Sequence, residues 1–284
     1  MLKVVEVACP AKINLFLNVT GYNREKELHN MKMISQTVDL YDKVILQETK
    51  SKTGLIVKNN NILLDETNNC FKMAKLFFDY TKINPEGFSI IIEKNIPSKA
   101  GLSGDSTDAA GVLLGLNEYY HTNLTKRELI FLASLIGPNV PYFIYSGCKF
   151  ITGCGERIEN YTKSPYQSFL IIKPDFEIST KDMFSRLDKT PLSEKGIPNN
   201  LLQNDFSRII PGETERLNAF LKQYPNLNYS LSGSGSSYFI ASSEKNMKSS
   251  ISIALKKEFP NYQLFNAKPN SGHKILVKYL CHKS

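Results

Sequence analysis

The stretch PSKAGLSGDSTDAAG, residues 97–111, decides how this sequence is interpreted. A strand-like segment ends at Pro97, a loop of small residues follows, and the pattern then becomes helical. Small residues let backbone N–H groups approach an anion, and the start of a helix adds partial positive charge. The loop contains neither the G-K-[ST] of a Walker A motif nor a G-x-G-x-x-G fingerprint. It predicts either a phosphate-binding loop of another kind or a tight strand-to-helix connection capped by Ser103 or Asp105.

Composition is typical of a soluble globular protein. The 284 residues are 42% hydrophobic and 22% charged, and no apolar run reaches the length of a membrane-spanning helix. Residues 1–19 alternate in polarity, which indicates a strand rather than a signal peptide. The five cysteines are scattered, which argues against a disulfide framework and suits a reducing compartment. We therefore expect a cytoplasmic protein with no membrane partner.

The net charge of +8 favours an anionic partner. The basic residues are dispersed, and no basic motif interleaved with aromatic residues appears, so we expect no nucleic-acid partner. Cys148 and Cys154 lack a second pair, and the histidines form no H-x-x-x-H pattern, which disfavours a zinc site. The charge balance therefore favours a small phosphorylated ligand.

The hydrophobic pattern predicts an α+β fold. Alternation predicts strands over 2–9, 12–20 and 88–97. Residues 125–137 predict a helix that begins at a capping box of Thr125 and Glu128. A second helix over 68–81 has an apolar face formed by Cys70, Met73, Ala74, Phe77 and Phe78.

Three glycine- or lysine-containing segments, taken in order, resemble the three motifs of the GHMP kinase superfamily. They are PAKINLFLNV (10–19), PSKAGLSGDSTDAA (97–110) and LSGSGSSYFI (231–240). Three further segments look most like the branch that phosphorylates 4-diphosphocytidyl-2-C-methyl-D-erythritol: IGPNVPYFI (136–144), GCGERI (153–158) and NNLLQNDF (199–206). The resemblance implies an ATP-dependent small-molecule kinase, acting as a monomer or homodimer on an alcohol.

The resemblance also implies a fold of two lobes. The N-terminal lobe, residues 1–153, would resemble domain 2 of ribosomal protein S5 and carry the ATP-binding loop. The C-terminal lobe, residues 154–284, would be an antiparallel sheet backed by helices.

Site residues follow from the same resemblance. Lys12 would lie by the phosphoryl acceptor and help activate its hydroxyl, with Asn14 as a nearby polar contact. Asn69 and Lys94 would lie on the adenosine side, and Ser106 would reach Mg²⁺. The residues expected to wrap the triphosphate are Pro97, Ala100, Gly101, Leu102, Ser103, Gly104, Asp105, Ser106 and Thr107. The turn expected to close on the substrate contains Gly233, Ser234 and Gly235.

Asn139 departs from the family pattern, because members usually carry an aspartate there that accepts the hydroxyl proton. An amide cannot do so at neutral pH, and a general base contributes about 10²–10⁴-fold to a rate. Phosphoryl transfer depends mostly on positioning and charge stabilisation, and the homoserine kinase branch uses an asparagine here. Three alternatives stay open: a natural enzyme with altered chemistry, a nucleotide-binding regulator without catalysis, and an engineered substitution.

The residues expected to bind cytidine also depart from the family pattern. The family's glycine-tyrosine-histidine run corresponds here to Glu27-Leu28-His29, so His29 remains to bond the base while Leu28 offers only an apolar wall. The lost stacking is worth about 1–3 kcal/mol. Phe184 could stack on the other face of the base or be a core residue. These changes keep a homoserine- or mevalonate-type acceptor open.

Asp105 is the third departure, since the family prefers glycine there. A carboxylate beside a triphosphate is repulsive unless it faces the metal or caps a helix. We expect Asp105 to cap a helix that begins near Ser106.

Overall fold

The computed structural model describes residues 2–49, 54–60, 62–161, 164–192, 194–198, 201–245 and 249–280. Asn199 and Asn200 of the 199–206 motif, and Cys281 and His282, lie outside the described residues. The helices are α1 (Asn69–Thr81), α2 (Gly104–Tyr120), α3 (Lys126–Ile136), α4 (Val140–Tyr145), α5 (Thr180–Leu187), α6 (Glu215–Lys222) and α7 (Ser249–Glu258), with 3₁₀ turns at Asp205–Arg208 and Gly212–Thr214.

The strands are interspersed with these helices. They are β1 (Leu2–Asn23), β2 (Leu28–Glu48), β3 (Ile56–Asn59), β4 (Ile62–Leu63), β5 (Phe88–Glu93), β6 (Cys148–Gly153), β7 (Arg157–Asn160), β8 (Ser168–Lys173), β9 (Gln203–Asn204), β10 (Asn228–Leu231), β11 (Tyr238–Ser242), β12 (Gln263–Ala267) and β13 (Lys274–Leu280). The α+β prediction is confirmed.

The larger sheet has nine strands within the described residues, with β13-β1-β2-β5-β3-β4 as its main order. β6 and β7 extend it from β2, and β9 pairs with β1. Strands from both sides of residues 153 and 154 thus pair in one sheet, and the division into lobes at that point stays a prediction.

β1 corrects the prediction of two separate strands over 2–9 and 12–20. It runs through Pro10, and its register against β2 shifts between Pro10 and Ala11. A bulge tolerates a residue that lacks the N–H needed for the ladder, so the strand bends there instead of ending.

Helices α1, α2 and α3 cover one face of the larger sheet. The predicted apolar face of α1 is confirmed, because all five of its residues are buried. The capping box of Thr125 and Glu128 is also confirmed. A Cβ at Gly111 would lie 2.2 Å from the Cys9 sulfur, and one at Gly115 would lie 2.4 Å from Leu46. The two glycines therefore let α2 lie directly on the sheet.

The second sheet has the order β10-β11-β8-β12 and is antiparallel throughout. Its strand β8 is buried along its whole length. Phe169 and Ile171 pack with Ile13 and Leu15 of the larger sheet, whereas alternate residues pack toward the helices of this half. In the part of the chain that is described, no helix is long and apolar enough to span a membrane.

Candidate active site

A cavity of about 380 Å³ opens where β1, the start of α2 and the turn after β10 meet. Cavities of a few hundred Å³ are typical of small-molecule sites. Most residues predicted for the site line it: Lys12, Asn14, Asn69, Lys94, Pro97, Ala100, Gly101, Ser103, Gly104, Asp105, Ser106, Asn139, Phe184, Gly233 and Ser234. Five predicted residues lie outside the lining: Leu28, His29, Leu102, Thr107 and Gly235.

Lys12 connects the first two motifs. Its Nζ donates to Asn14 Oδ1 and to the Gly101 carbonyl, both at 2.6 Å. Its backbone N–H donates to the Leu102 carbonyl at 3.1 Å. The side chain is only 7% exposed, and burial lowers the pKa of Lys12 to about 7. A buried amine with two short hydrogen bonds has one remaining position to offer a ligand.

The two glycine segments interlock. The Ser232 hydroxyl donates to the Gly101 carbonyl at 3.0 Å, and the Ser237 N–H donates to the Ala100 carbonyl at 3.2 Å. Gly101 has a φ of +72°, and a Cβ there would lie 2.0 Å from the Ser232 carbonyl oxygen. A side chain at this position would therefore separate the two segments.

Helix α2 begins at Gly104, two residues earlier than expected. Ser103 occupies the N-cap position with a φ of +60°, and its side chain makes no capping hydrogen bond. The prediction that Asp105 caps the helix is wrong, because Asp105 lies inside the first turn. Its side chain is 77% exposed and approaches Lys94 at 3.3 Å. A helix start without a side-chain cap can donate its first N–H groups to an anion.

Lys94 lines the cavity but is already paired. Its Nζ lies 2.7 Å from carboxylate oxygens of both Asp42 and Asp108. Burial would lower the pKa of Lys94, but Asp108 and Asp42 outweigh it and raise that pKa above its ordinary value. Asp42 also accepts the N–H groups of Asn95 and Ile96 at 2.5 and 2.7 Å. This network holds the chain as it leaves β5, which ends at Glu93 rather than at the predicted residue 97.

Asn139 lines the cavity immediately before α4. It is exposed, and its side chain makes no capping hydrogen bond. The neighbouring Pro138 carbonyl packs against Gly155, where a Cβ would lie 2.7 Å from the oxygen. The 153–158 segment thus supports the loop that presents the amide.

The rings of Phe184, His29 and Tyr22 form an aromatic group at the other end of the site. Phe184 lines the cavity, and the ring of His29 stacks on it at a centroid distance of 4.3 Å and an angle of 20°. His29 Nε2 lies 2.7 Å from Asp188 Oδ1, and Tyr22 meets His29 edge-on at 5.1 Å. The adjacent Leu28 lies one strand position away and does not line the cavity. One face of Phe184 is therefore covered by His29.

Sequence reasoning missed several residues that shape the site. Asp42 and Asp108 hold Lys94, Asp188 holds His29, and Asn204 holds the turn after β10. Each of these residues acts by binding a partner that is not nearby in the sequence, so no short motif or regular spacing identifies it. Apolar cavity residues were missed as well: Leu17, Met31, Met33, Ile151 and Phe206.

The described residues contain no group of three histidine, cysteine or acidic side chains placed to hold a metal ion. Ser106 lines the cavity, whereas Asp108 is engaged by Lys94. The cysteines at 9, 70, 148 and 154 are not in disulfides. Any Mg²⁺ here would depend on phosphate and water oxygens for most of its ligands.

Comparison with known proteins identifies relatives of this chain. Residues 68–147 match the family profile described as GHMP kinases N terminal domain. The 4-diphosphocytidyl-2-C-methyl-D-erythritol kinase of Clostridium tetani (strain Massachusetts / E88) is 38% identical over 253 residues, which cover 83% of this chain and 90% of that protein.

Solved structures share the fold. The crystal structure of a 4-(cytidine 5'-diphospho)-2C-methyl-D-erythritol kinase superposes with a TM-score of 0.75 at 23% identity, covering 93% of this chain and 100% of that one. A homoserine kinase from Cytophaga hutchinsonii ATCC 33406 superposes with a TM-score of 0.71 at 18% identity, covering 96% and 97%. The chain belongs to the GHMP kinase family and is an ATP-dependent phosphotransferase.

Proposed function

We propose that the chain transfers the γ-phosphoryl group of ATP to a hydroxyl of 4-diphosphocytidyl-2-C-methyl-D-erythritol. The relative from Clostridium tetani carries that name and covers most of the chain. The observation that carries the proposal is the convergence of Lys12, the Gly101 loop and the Gly233 turn on one cavity. The aromatic group at the far end suits a nucleotide-linked acceptor.

The loop 97–107 is the proposed triphosphate site. Its small residues and the start of α2 provide backbone donors, as expected for phosphate oxygens. Ser106 fits a hydroxyl ligand to Mg²⁺, which would neutralise phosphate charge when bound. Asn69 is the proposed contact on the adenosine side. Lys94 lines the same wall and acts there with its charge shared between Asp42 and Asp108.

Lys12 is the proposed proton acceptor in this chain. A neutral amine has two N–H donors and one lone pair, and two donors are already used by Asn14 and Gly101. The lone pair therefore remains for the acceptor hydroxyl. With a pKa of about 7, the amine is partly neutral at physiological pH. Asn139 then orients the hydroxyl through its amide and does not take the proton.

A homoserine-type acceptor is the second candidate. Asn139 and the absence of a tyrosine at Leu28 favour a homoserine-type acceptor over the cytidine-linked one, while the aromatic group favours the latter. Cytoplasmic location and a monomeric or homodimeric state stay predictions.

The test is ADP release from purified protein with the cytidylyl-methylerythritol substrate, homoserine and mevalonate. We expect transfer to the first, and a gain of about 10-fold or more in Asn139→Asp because a second base is added. Asn218→Asp makes the same atom exchange on α6, where Oδ1 accepts from the Tyr229 hydroxyl, and serves as the control. Transfer only to homoserine or mevalonate would replace the proposed acceptor, and no transfer to any of the three would refute the proposal.

A further inference from the structure

The turn that follows β10 is held from behind by one buried side chain. Asn204 is 7% exposed, and its Nδ2 donates to the carbonyl oxygens of Leu231 and Gly233, both at 2.8 Å. Its Oδ1 accepts the Phe206 N–H at 3.0 Å. All the hydrogen-bonding capacity of the amide nitrogen is used on the turn, and the turn lines the cavity on its other side.

The geometry of the peptide bond determines which way the Ser234 N–H points when Asn204 binds the Gly233 carbonyl. In a trans peptide the C=O and the following N–H point to opposite sides of the chain. The Leu231–Ser232 peptide follows this rule, since Leu231 O faces Asn204 while Ser232 N–H donates away from it to Ser237 O at 2.9 Å. The Gly233–Ser234 peptide has its carbonyl on the same Asn204. The Ser234 N–H then points away from Asn204, and residues 233 and 234 both line the cavity.

The same residue anchors the rest of the site. β9, which contains Asn204, pairs in parallel with β1 at Phe16 and Leu17, a few residues beyond Lys12. Phe206 lines the cavity and meets Phe184 edge-on at 4.9 Å. Asn204 is thus adjacent to β1, which carries Lys12, to the turn after β10, and to Phe206, which contacts Phe184.

We infer that Asn204 is a positioning residue that fixes the Gly233–Ser234 peptide so that the Ser234 N–H donates to a phosphate oxygen in the cavity. The inference rests on the proposed function, because it gives the turn an anionic ligand. The phosphate oxygen belongs either to ATP or to the diphosphate of the acceptor. Asn204 itself touches neither substrate.

Asn204→Asp tests the inference, because it keeps the shape and the acceptor for Phe206 but loses both donors to the turn. We expect kcat to fall by up to about 10²–10³-fold, the cost of losing one donor at a developing charge, with the KM for ATP within about threefold. Asn204→Gln keeps the donors on a longer arm and should recover part of the rate. Asn218→Asp is the matched control and should leave both constants unchanged.

A second measurement does not depend on turnover. In protein labelled with ¹⁵N-serine, the Ser234 amide resonance should shift when a non-hydrolysable imido analogue of ATP or when CDP is added, and the ligand that shifts it identifies the phosphate. The shift should shrink in Asn204→Asp and persist in Asn218→Asp.

The outcomes separate the two proposals. Wild-type protein that is inactive with every acceptor but shows the Ser234 shift refutes the proposed function and supports the inference. Active wild-type protein with kcat in Asn204→Asp within twofold of normal overturns the inference. If Asn204→Asp does not fold, a wild-type Ser234 resonance that neither ligand moves overturns it as well.

Discussion

The two ends of the cavity are built differently. The end proposed to bind phosphate, here called the phosphate end, is formed by Lys12, the Gly101 loop and the turn at 232–237. Backbone and buried side-chain hydrogen bonds of 2.6–3.2 Å join these segments. At the aromatic end, Tyr22, His29 and Phe184 touch through ring contacts, and Tyr22 is 51% exposed. Backbone contacts fix the first end before a ligand arrives. At the second end His29 covers one face of Phe184, so a base that stacked on that face would have to displace the imidazole.

The largest expected effect comes from the phosphate end. Lys12→Met should lower kcat by about 10³-fold or more, because it removes both the proton acceptor and the positive charge that forms on it as the proton is taken. Steady-state kinetics with ATP and the preferred acceptor measure it. Folding is checked by circular dichroism.

Lys173→Met is the matched control for that change. Lys173 is also buried and donates to two backbone carbonyls, those of Pro174 and Phe176, at 2.5 and 2.9 Å, but it does not line the cavity. Its loss should lower stability and leave kcat within threefold. A similar loss of kcat in both variants would show that any buried lysine has this effect and would contradict the role of Lys12.

A smaller effect is expected at the aromatic end. Phe184→Ala should raise the KM for a cytidine-linked acceptor about 5- to 100-fold, the range for one lost stacking contact, with the KM for ATP unchanged. Phe131→Ala removes a phenylalanine that is 53% exposed on α3 and is the control. Equal rises in both KM values would mean that Phe184 supports the whole cavity and not only its aromatic end.

A separate effect, on stability rather than on activity, is expected as pH changes. The pKa of Lys12 is about 7 in the folded protein and 10.5 in a free lysine, so between these values the unfolded chain binds one more proton. The wild type should therefore gain unfolding free energy relative to Lys12→Met as pH rises from 7 to 10.5, by at most about 1.4 kcal/mol per pH unit. Urea unfolding at several pH values measures the difference. A difference that stays flat over this range would contradict a buried, mostly neutral amine.

Sequence patterns within a few residues correctly predicted the features that local interactions determine. The apolar face of α1 and the capping box of α3 follow from residues three or four places apart, and both are present. The ordered glycine and lysine motifs predicted that three distant segments would meet, and residues of all three line one cavity. Pro10 misled the strand prediction because the bulge that tolerates it depends on pairing with β2.

Contacts between distant residues could not be read from the sequence. The capping role expected for Asp105 failed because the helix starts earlier and Lys94 draws the carboxylate aside. Lys94 meets Asp42 across 52 positions of chain, and His29 meets Asp188 across 159. Such pairs produce no periodicity or fixed spacing in the sequence, so they can be identified only in the folded structure.

The pairing of β1 with β13 has a consequence for synthesis. β1 is made well before one of its two main partners, which spans Lys274–Leu280, so its ladder is completed only after the intervening chain has been made. The turn at 232–237, which packs against the Gly101 loop, also emerges late. The cavity that these segments line therefore forms only after both have been synthesised, and a nascent chain halted before residue 232 lacks one of its walls.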